Sequence, residues 1–244
     1  MNSILFLGDA HLRDGDPELQ AFLRFLQDAP SHAAALYLMG DLFDLWVGSP
    51  AFLTECHHRV LEALRRLRAA GMDLVYVEGN RDYRLGRLFE SDPFRSVVRE
   101  KTEITFGGRR IHLAHGDLVN RADRQYRFWR RVAKGPLLLG VLETLPSGAA
   151  RRLATRLERD MARTNQRHRE RFPEEECRRY ALEVRRLGAD MMVLGHFHQE
   201  MRLSYAGAEG SIEVFVLPAW REAHRLLVLR DDGEVAFEAL GAGG

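Results

Sequence analysis

Short apolar runs that stop at a glycine or a polar cluster recur along the chain: ILFLGD (4–9), LYLMGD (36–41), DLVYVEGN (73–80), RIHLAHGD (110–117) and MMVLGHFH (191–198). Runs of this length predict buried strands. Between the first three lie two segments with apolar residues three and four apart, PELQAFLRFLQDA (17–29) and FLTECHHRVLEALRRLRAAG (52–71). The first carries Pro17 near its opening turn and the second closes at Gly71, as helices do. The β-α-β-α-β order predicts right-handed crossovers between parallel strands. After His198, the runs MRLSYAG, SIEVFVLPAW and RLLVLRDDGEVAFEAL predict antiparallel strands, the last a hairpin around Asp231-Asp232-Gly233. The closing GAGG is expected to be a loose tail.

From Arg121 the pattern changes to helical periodicity broken at Gly135-Pro136, Pro146-Ser147-Gly148 and Pro173, which predicts several helices inserted between two core strands. Charge marks the same segment. Residues 121–186 hold eighteen Lys/Arg against nine Asp/Glu, and the rest of the chain eighteen against twenty-six, although the net charge is only +1. With 244 residues and 45% apolar content, one domain with an insertion is the simplest division, two small domains being the other that the length allows. The core is expected over 1–120 and 188–241, with a helical lid over 121–187.

Cys56 and Cys177 lie far apart with no Cys-x-x-Cys spacing, which points away from a disulfide framework or a thiolate zinc site and toward a reducing cytoplasm. The N-terminal MNSILFLGDAHL has no basic leader and is broken by Asp9 and His11, so it reads as a strand rather than a signal. No run of eighteen apolar residues is present to predict a membrane-spanning helix, and attachment to a membrane surface stays open.

Five strand ends each deliver hard-metal ligands: Asp9 and His11, Asp41, Asn80, His115, and His196 with His198. Carboxylate, amide and imidazole without thiolate suit a divalent ion such as Mn²⁺, and less exclusively Fe or Zn. Ligands of α/β sheets collect beyond the carboxyl ends of strands, so residues spread over 190 positions can converge. Any one of them alone reads as a turn or cap residue; five such motifs in succession do not.

The set DAH (9–11), GDLFD (40–44), GNRD (79–82), HGD (115–117) and GHFH (195–198) resembles the calcineurin-like metallophosphoesterases. That resemblance implies an α/β fold, a four-layer αββα sandwich with an inserted helical lid, and two divalent metal ions at the strand ends. It assigns Asp9, His11, Asp41 and His198 to one ion and Asp41, Asn80, His115 and His196 to the other, with Asp41 bridging. Paired metals of this kind activate a water and neutralise phosphoryl oxygens.

Within that superfamily the chain is similar to the UDP-2,3-diacylglucosamine hydrolases of lipid A biosynthesis, through FLRFL (22–26), ALYLMGDLFDLWVG (35–48), GNRDYRLG (79–86), the Tyr-Arg-Phe-Trp-Arg stretch at 126–130 and LPAW (217–220). The similarity implies pyrophosphate hydrolysis of an acylated nucleotide sugar to UMP and 2,3-diacylglucosamine 1-phosphate. Catalytic roles fall to Asp41, Asn80, Arg81, His115 and His196. Substrate contacts fall to Asn80, Arg81, Asp123, Tyr126, Asn165, His168 and His196. Two lid positions depart from the family pattern: Met161 stands where serine is usual and His168 where lysine is usual, which leaves the exact acylated sugar open. The apolar PLLLGVLETL amid lid arginines suits acyl chains beside phosphates, and also docking on anionic headgroups at the cytoplasmic face of the inner membrane. The bland alternative packs Leu137 to Leu145 on the core with solvated arginines.

Arg81 follows Gly-Asn, where many relatives in the superfamily carry a histidine able to protonate an alkoxide. A phosphate leaving group, with a second pKa of about 6, does not need that proton. Arg81 is therefore read as a pyrophosphate clamp, with Asp82 orienting it or capping a helix from Tyr83. Cys56-His57-His58 falls in an amphipathic helix whose adjacent residues diverge, so it reads as structural. His112 is a candidate core histidine, His32 and His224 have no companion signal, and Trp46 is open between cleft and core. Two other functions compete: a phosphodiesterase or nuclease using the same metals, against which the apolar lid stretch argues, and a non-catalytic scaffold, against which the filled ligand positions argue.

Overall fold

The computed structural model describes residues 2–29, 33–121, 123–135, 140 and 172–239. Asn165, His168, Met161 and the Leu137 to Leu145 stretch apart from Gly140 lie outside them, as do His32 and the GAGG tail.

β1 (Ser3–Leu7), β2 (Ala35–Leu38) and β4 (Asp73–Val77) are parallel neighbours. Their apolar runs do not alternate because each face meets a different core. Ile4 and Phe6 enter a core shared with a second sheet, while Leu5 and Leu7 pack with α1 (Glu18–Asp28) and α2 (Glu55–Ala69). A strand apolar on both faces has to lie between two layers. β6 (Ser96–Val98), β12 (Arg225–Arg230) and β13 (Val235–Ala239) complete the first sheet in the order β13-β12-β1-β2-β4-β6.

The second sheet holds β7 (Lys101–Phe106), β8 (Arg109–Ala114), β9 (Met191–Leu194), β10 (Met201–Gly207) and β11 (Gly210–Val216), ordered β10-β11-β9-β8-β7. On β9, Met191 and Val193 face the inter-sheet core, whereas Met192 and Leu194 meet Cys177, Ala181 and Val184 of α5 (Glu174–Arg186). Helices, sheet, sheet and helix form four layers, an αββα sandwich. The outer layer of the second sheet thus comes from within the 121–187 span. No helix among the described residues is long and apolar enough to cross a membrane.

In the β7–β8 hairpin, β8 answers to the expected RIHLAHGD run, whereas β7 has no counterpart among the expected strands. The hairpin's first strand, KTEITF, lies at a sheet edge and is half exposed, so it lacks the apolar run that marks a central strand. Gly107 and Gly108 form its two-residue loop with φ of 55° and 71°, the positive values such a turn needs at both central positions.

A two-stranded pairing of β3 (Trp46–Val47) with β5 (Asp82–Tyr83) ties the loop after β2 to the loop after β4. Because Asp82 and Tyr83 are extended there, the expected helix from Tyr83 starts later, as α3 (Gly86–Phe89), with Leu85 at its cap. Trp46 is fully buried against Phe43 and Tyr76, edge-on to both, which makes it a core residue rather than a cleft wall. Burial of such a ring stabilises by about 1.5–3 kcal/mol. Cys56 is likewise in the core, His57 lies 2.9 Å from Thr54 Oγ1 at the start of α2, and His58 is exposed. His112 is buried, its Nε2 2.7 Å from Tyr180 Oη, and His224 meets Glu18. α4 (Arg124–Ala133) and α6 (Trp220–Ala223) are the remaining helices described.

Candidate metal centre

The loops carrying the expected ligands leave the carboxyl ends of β1, β2 and β4 in one sheet and β8 and β9 in the other. They meet over the edge of the inter-sheet core and are stitched together there. Asp9 N donates to Gly40 O at 3.0 Å, His11 N to Asp41 O at 3.0 Å and Gly195 N to His115 O at 2.8 Å. Carboxylates extend the stitching: Asp9 Oδ2 accepts from His196 N at 2.7 Å and Asp41 Oδ1 from Arg81 N at 2.9 Å.

This leaves one oxygen of each carboxylate directed elsewhere. Nε2 of His11 and Nε2 of His198 lie 3.2 Å apart, and the latter is 3.2 Å from Asp9 Oδ1. His115 Nε2 lies 3.1 Å from Asn80 Oδ1 and 3.8 Å from Asp41 Oδ2, while His196 Nδ1 approaches Asn80 Oδ1 to 2.9 Å. Ligand atoms of Asp9, His11 and His198 fall within 4.8 Å of one another, and so do those of Asp9, Asp41 and His115. Asp9 is common to both groups, whereas the family resemblance gives the bridging place to Asp41.

The residues fit divalent metal ions on their own chemistry. Asp9 Oδ1 and Asp41 Oδ2 are buried and accept no hydrogen bond among the described residues. A buried carboxylate oxygen that accepts no hydrogen bond is costly, and a cation placed on it would offset that cost. Burial opposes ionisation of Asp9, yet the imidazoles of His198, His115 and His11 outweigh it and hold the carboxyl well below the usual range. His115 Nδ1 lies 2.7 Å from Met39 O. That carbonyl can only accept, so the ring proton sits on Nδ1 and the Nε2 lone pair faces Asn80 and Asp41.

Backbone strain marks the same residues. Asp9, His11, Asp41, His196 and His198 all have positive φ, between 48° and 71°. Left-handed conformations are uncommon outside glycine, with Asp and His among the residues that tolerate them, and cost about 1–3 kcal/mol when held. The adjacent glycines are required by space: a Cβ on Gly40 would stand 2.6 Å from Gly79 N and His115 Nδ1, and one on Gly79 2.3 Å from Asp41 Oδ1.

Arg81 lies beside this cluster with its side chain 12% exposed. Its Nη1 is 3.2 Å from both Asp44 O and Asp44 Oδ1, and its Nε is 3.7 Å from Asp41 Oδ2. Asp44 went unassigned in the sequence, although it is the second aspartate of GDLFD. Asp82 plays a different part from the one expected. Its Oδ2 accepts from Asp41 N at 3.0 Å, Gly79 N at 2.6 Å and Tyr76 Oη at 2.9 Å, locking the two ligand loops to the sheet.

Asp123, Tyr126 and His196 share one cleft with Asp117 and Asn120. Asp123 caps α4 by accepting from Tyr126 N at 2.8 Å, and the buried Tyr126 hydroxyl donates to Asp117 Oδ2 at 2.8 Å. Arg130 Nε donates to the same oxygen. Burial opposes ionisation of Asp117, but Arg130, together with His115, Lys134 and His196, more than offsets it and holds the carboxyl well below the carboxylate range. From the same helix end, Lys134 Nζ donates to Gly79 O at 2.6 Å. Asp117 carried a signal in HGD; Arg130 and Lys134 were indistinguishable from other basic residues of the segment.

The calcineurin-like phosphoesterase family model matches residues 3–200. The chain is 35% identical over 155 residues to a UDP-2,3-diacylglucosamine hydrolase of Pseudomonas putida, a match spanning 63% of this chain and 64% of that protein, just under two thirds of its length. It is 32% identical over 218 residues to the protein of that name from Edwardsiella ictaluri, covering 88% of this chain and 84% of the relative. The corresponding Serratia proteamaculans protein is 30% identical over 217 residues, covering 88% and 90%.

Proposed function

Because the chain belongs to the calcineurin-like phosphoesterase family, we propose that it hydrolyses the pyrophosphate bond of UDP-2,3-diacylglucosamine, releasing UMP and 2,3-diacylglucosamine 1-phosphate. The observation that carries this reading is the convergence of two buried carboxylate oxygens with imidazole nitrogens from both sheets, in a chain whose relatives bear that name. Asp9, His11, Asp41 and His198 would hold one ion and Asp41, Asn80, His115 and His196 the other, with Mn²⁺ the ion the donor set suits best. Such ions supply Lewis acidity and lower the pKa of bound water.

The chain's own residues do the positioning. Met39 O fixes the His115 tautomer, and Asn80 Oδ1 lies between the His115 and His196 rings. Arg81, braced by Asp44, presents a fork of donors for a pyrophosphate oxygen. It cannot act as an acid, and a departing phosphate has no need of one. Asp123, Tyr126 and His196 form the wall on the α4 side, and Asn165 and His168 complete the substrate contacts. Of residues 121–187, the part ahead of α5 serves as a lid over the core of 1–120 and 188–241, α5 itself being a layer of that core. The acyl chains tie the substrate to a bilayer, so the enzyme works at the cytoplasmic face of the inner membrane.

Turnover of UDP-2,3-diacylglucosamine, bis(p-nitrophenyl) phosphate and single-stranded DNA, each with Mn²⁺, tests the reading. The nucleotide sugar is expected to be the preferred substrate by orders of magnitude. Robust nuclease activity without nucleotide-sugar turnover would overturn it.

A further inference from the structure

Behind the Gly79–Asp82 loop lies a concave site that the hydrolytic chemistry does not use. A cavity of about 370 Å³ opens between α4, Arg84 after β5, and the Arg99-Glu100 turn before β7. Its size falls within the range of small-molecule sites. Six cations line it: Arg84, Arg99, Arg127, Arg130, Arg131 and Lys134. Among the described residues, Glu78 and Glu100 oppose them in the wall and Asp117 pairs with Arg130 behind it. Glu78 Oε1 accepts from Leu85 N at 2.7 Å with Oε2 3.8 Å from Lys134 Nζ, while Glu100 Oε1 lies 3.4 Å from Arg130 Nη1. With Asp117 counted against Arg130, the described wall keeps three more positive than negative charges, and a concave surface lined mostly by one sign of charge concentrates its field.

Two donors sharpen the point. Arg84 Nε and Arg130 Nη2 belong to different elements, are buried, and have no acceptor among the described residues. A buried donor left unmade costs about 1–3 kcal/mol, so both guanidiniums keep capacity for an acceptor that the described residues do not supply. The chemistry favours phosphate over carboxylate. A carboxylate brings one charge and two oxygens, whereas a phosphate monoester brings nearly two charges and three acceptor oxygens, which suit several guanidinium forks at once.

We infer that this cavity is a second phosphate site, separated from the metal centre by the Gly79 backbone, which binds the phosphate of a nucleoside monophosphate or of an anionic lipid headgroup. The inference holds whichever phosphoester the metal centre hydrolyses.

The test uses the full Mn²⁺-loaded chain, the double variant Arg99→Glu/Arg131→Glu, and a control of equal charge change, Arg178→Glu/Arg179→Glu on the exposed face of α5. Circular dichroism and bound Mn²⁺ verify that each variant is folded and metallated. UMP is titrated calorimetrically, and binding to phosphatidylglycerol vesicles is followed by cosedimentation. Wild type and control are expected to bind a second UMP equivalent that the cavity variant loses or binds at least tenfold more weakly, which identifies a free phosphate ligand. If instead vesicle binding falls at least tenfold below the control, the source is a lipid headgroup. A difference under tenfold in both arms overturns the site. Should the cavity variant not fold, wild-type crystals soaked in tungstate decide: anomalous density in the cavity supports the site, and density at the metal centre alone overturns it.

Discussion

Five of the seven expected ligands have left-handed backbone, and Gly40 and Gly79, which precede Asp41 and Asn80, have no room for a Cβ. The residue types were legible because Asp and His announce their chemistry; the strain was not, since φ is set by contacts between strands distant in sequence. Arg81 illustrates the same division. Its guanidinium suggested a clamp, but its brace by Asp44 comes only from the folded loop after β2. Replacing it with alanine is expected to retain both metals while lowering turnover at least tenfold, because a charge-assisted bidentate contact is worth more than 1.4 kcal/mol. Unchanged kinetics would remove Arg81 from the site. Asn80→Ala should differ by also weakening one metal, readable as a bound-metal ratio falling from about two toward one.

At the scale of elements, the apolar runs of β1, β2, β4, β8 and β9 were readable because burial on both faces leaves nothing polar in them. The edge strand β7 and the short β3–β5 pair were not, since an edge strand is half exposed and a two-residue strand has no period. α4 joins the body through a buried ion pair, Arg130 with Asp117. Arg130→Met strips that carboxylate of its partner and should destabilise the protein by about 3–5 kcal/mol in urea unfolding; a loss below 1 kcal/mol, on the order of a surface pair, would contradict the assignment. α5 is linked to β8 by His112 and Tyr180. Burial, and then Lys101, holds the His112 pKa below its ordinary 6.5. The unfolded chain therefore binds more protons just below that value, and stability falls as pH drops from about 6.5 toward the folded pKa. His112→Gln should show a smaller loss of stability over that interval.

For the whole molecule, ions bound by the native state alone must raise its stability. At about a hundredfold excess over the dissociation constant the gain is about 2.7 kcal/mol, or about 5–10 °C in Tm for a chain of this length. Calorimetry of the metal-stripped protein with and without Mn²⁺ checks this, and Asp41→Ala should abolish most of the shift. No shift in the wild type would remove the metal centre. By itself the sequence determined the strands buried on both faces, the order of the parallel unit, the basic segment and the list of candidate ligands, because these depend on local periodicity and residue chemistry. Only the tertiary structure decided that Asp9 links both ligand groups, that Asp82 locks two loops rather than serving Arg81, and that Trp46 is core. It also decided that cations from α4, from the loop after β5 and from the turn before β7 surround one cavity. Each of these is a meeting of side chains from distant segments, fixed by the packing of two sheets and recorded in no single stretch of chain.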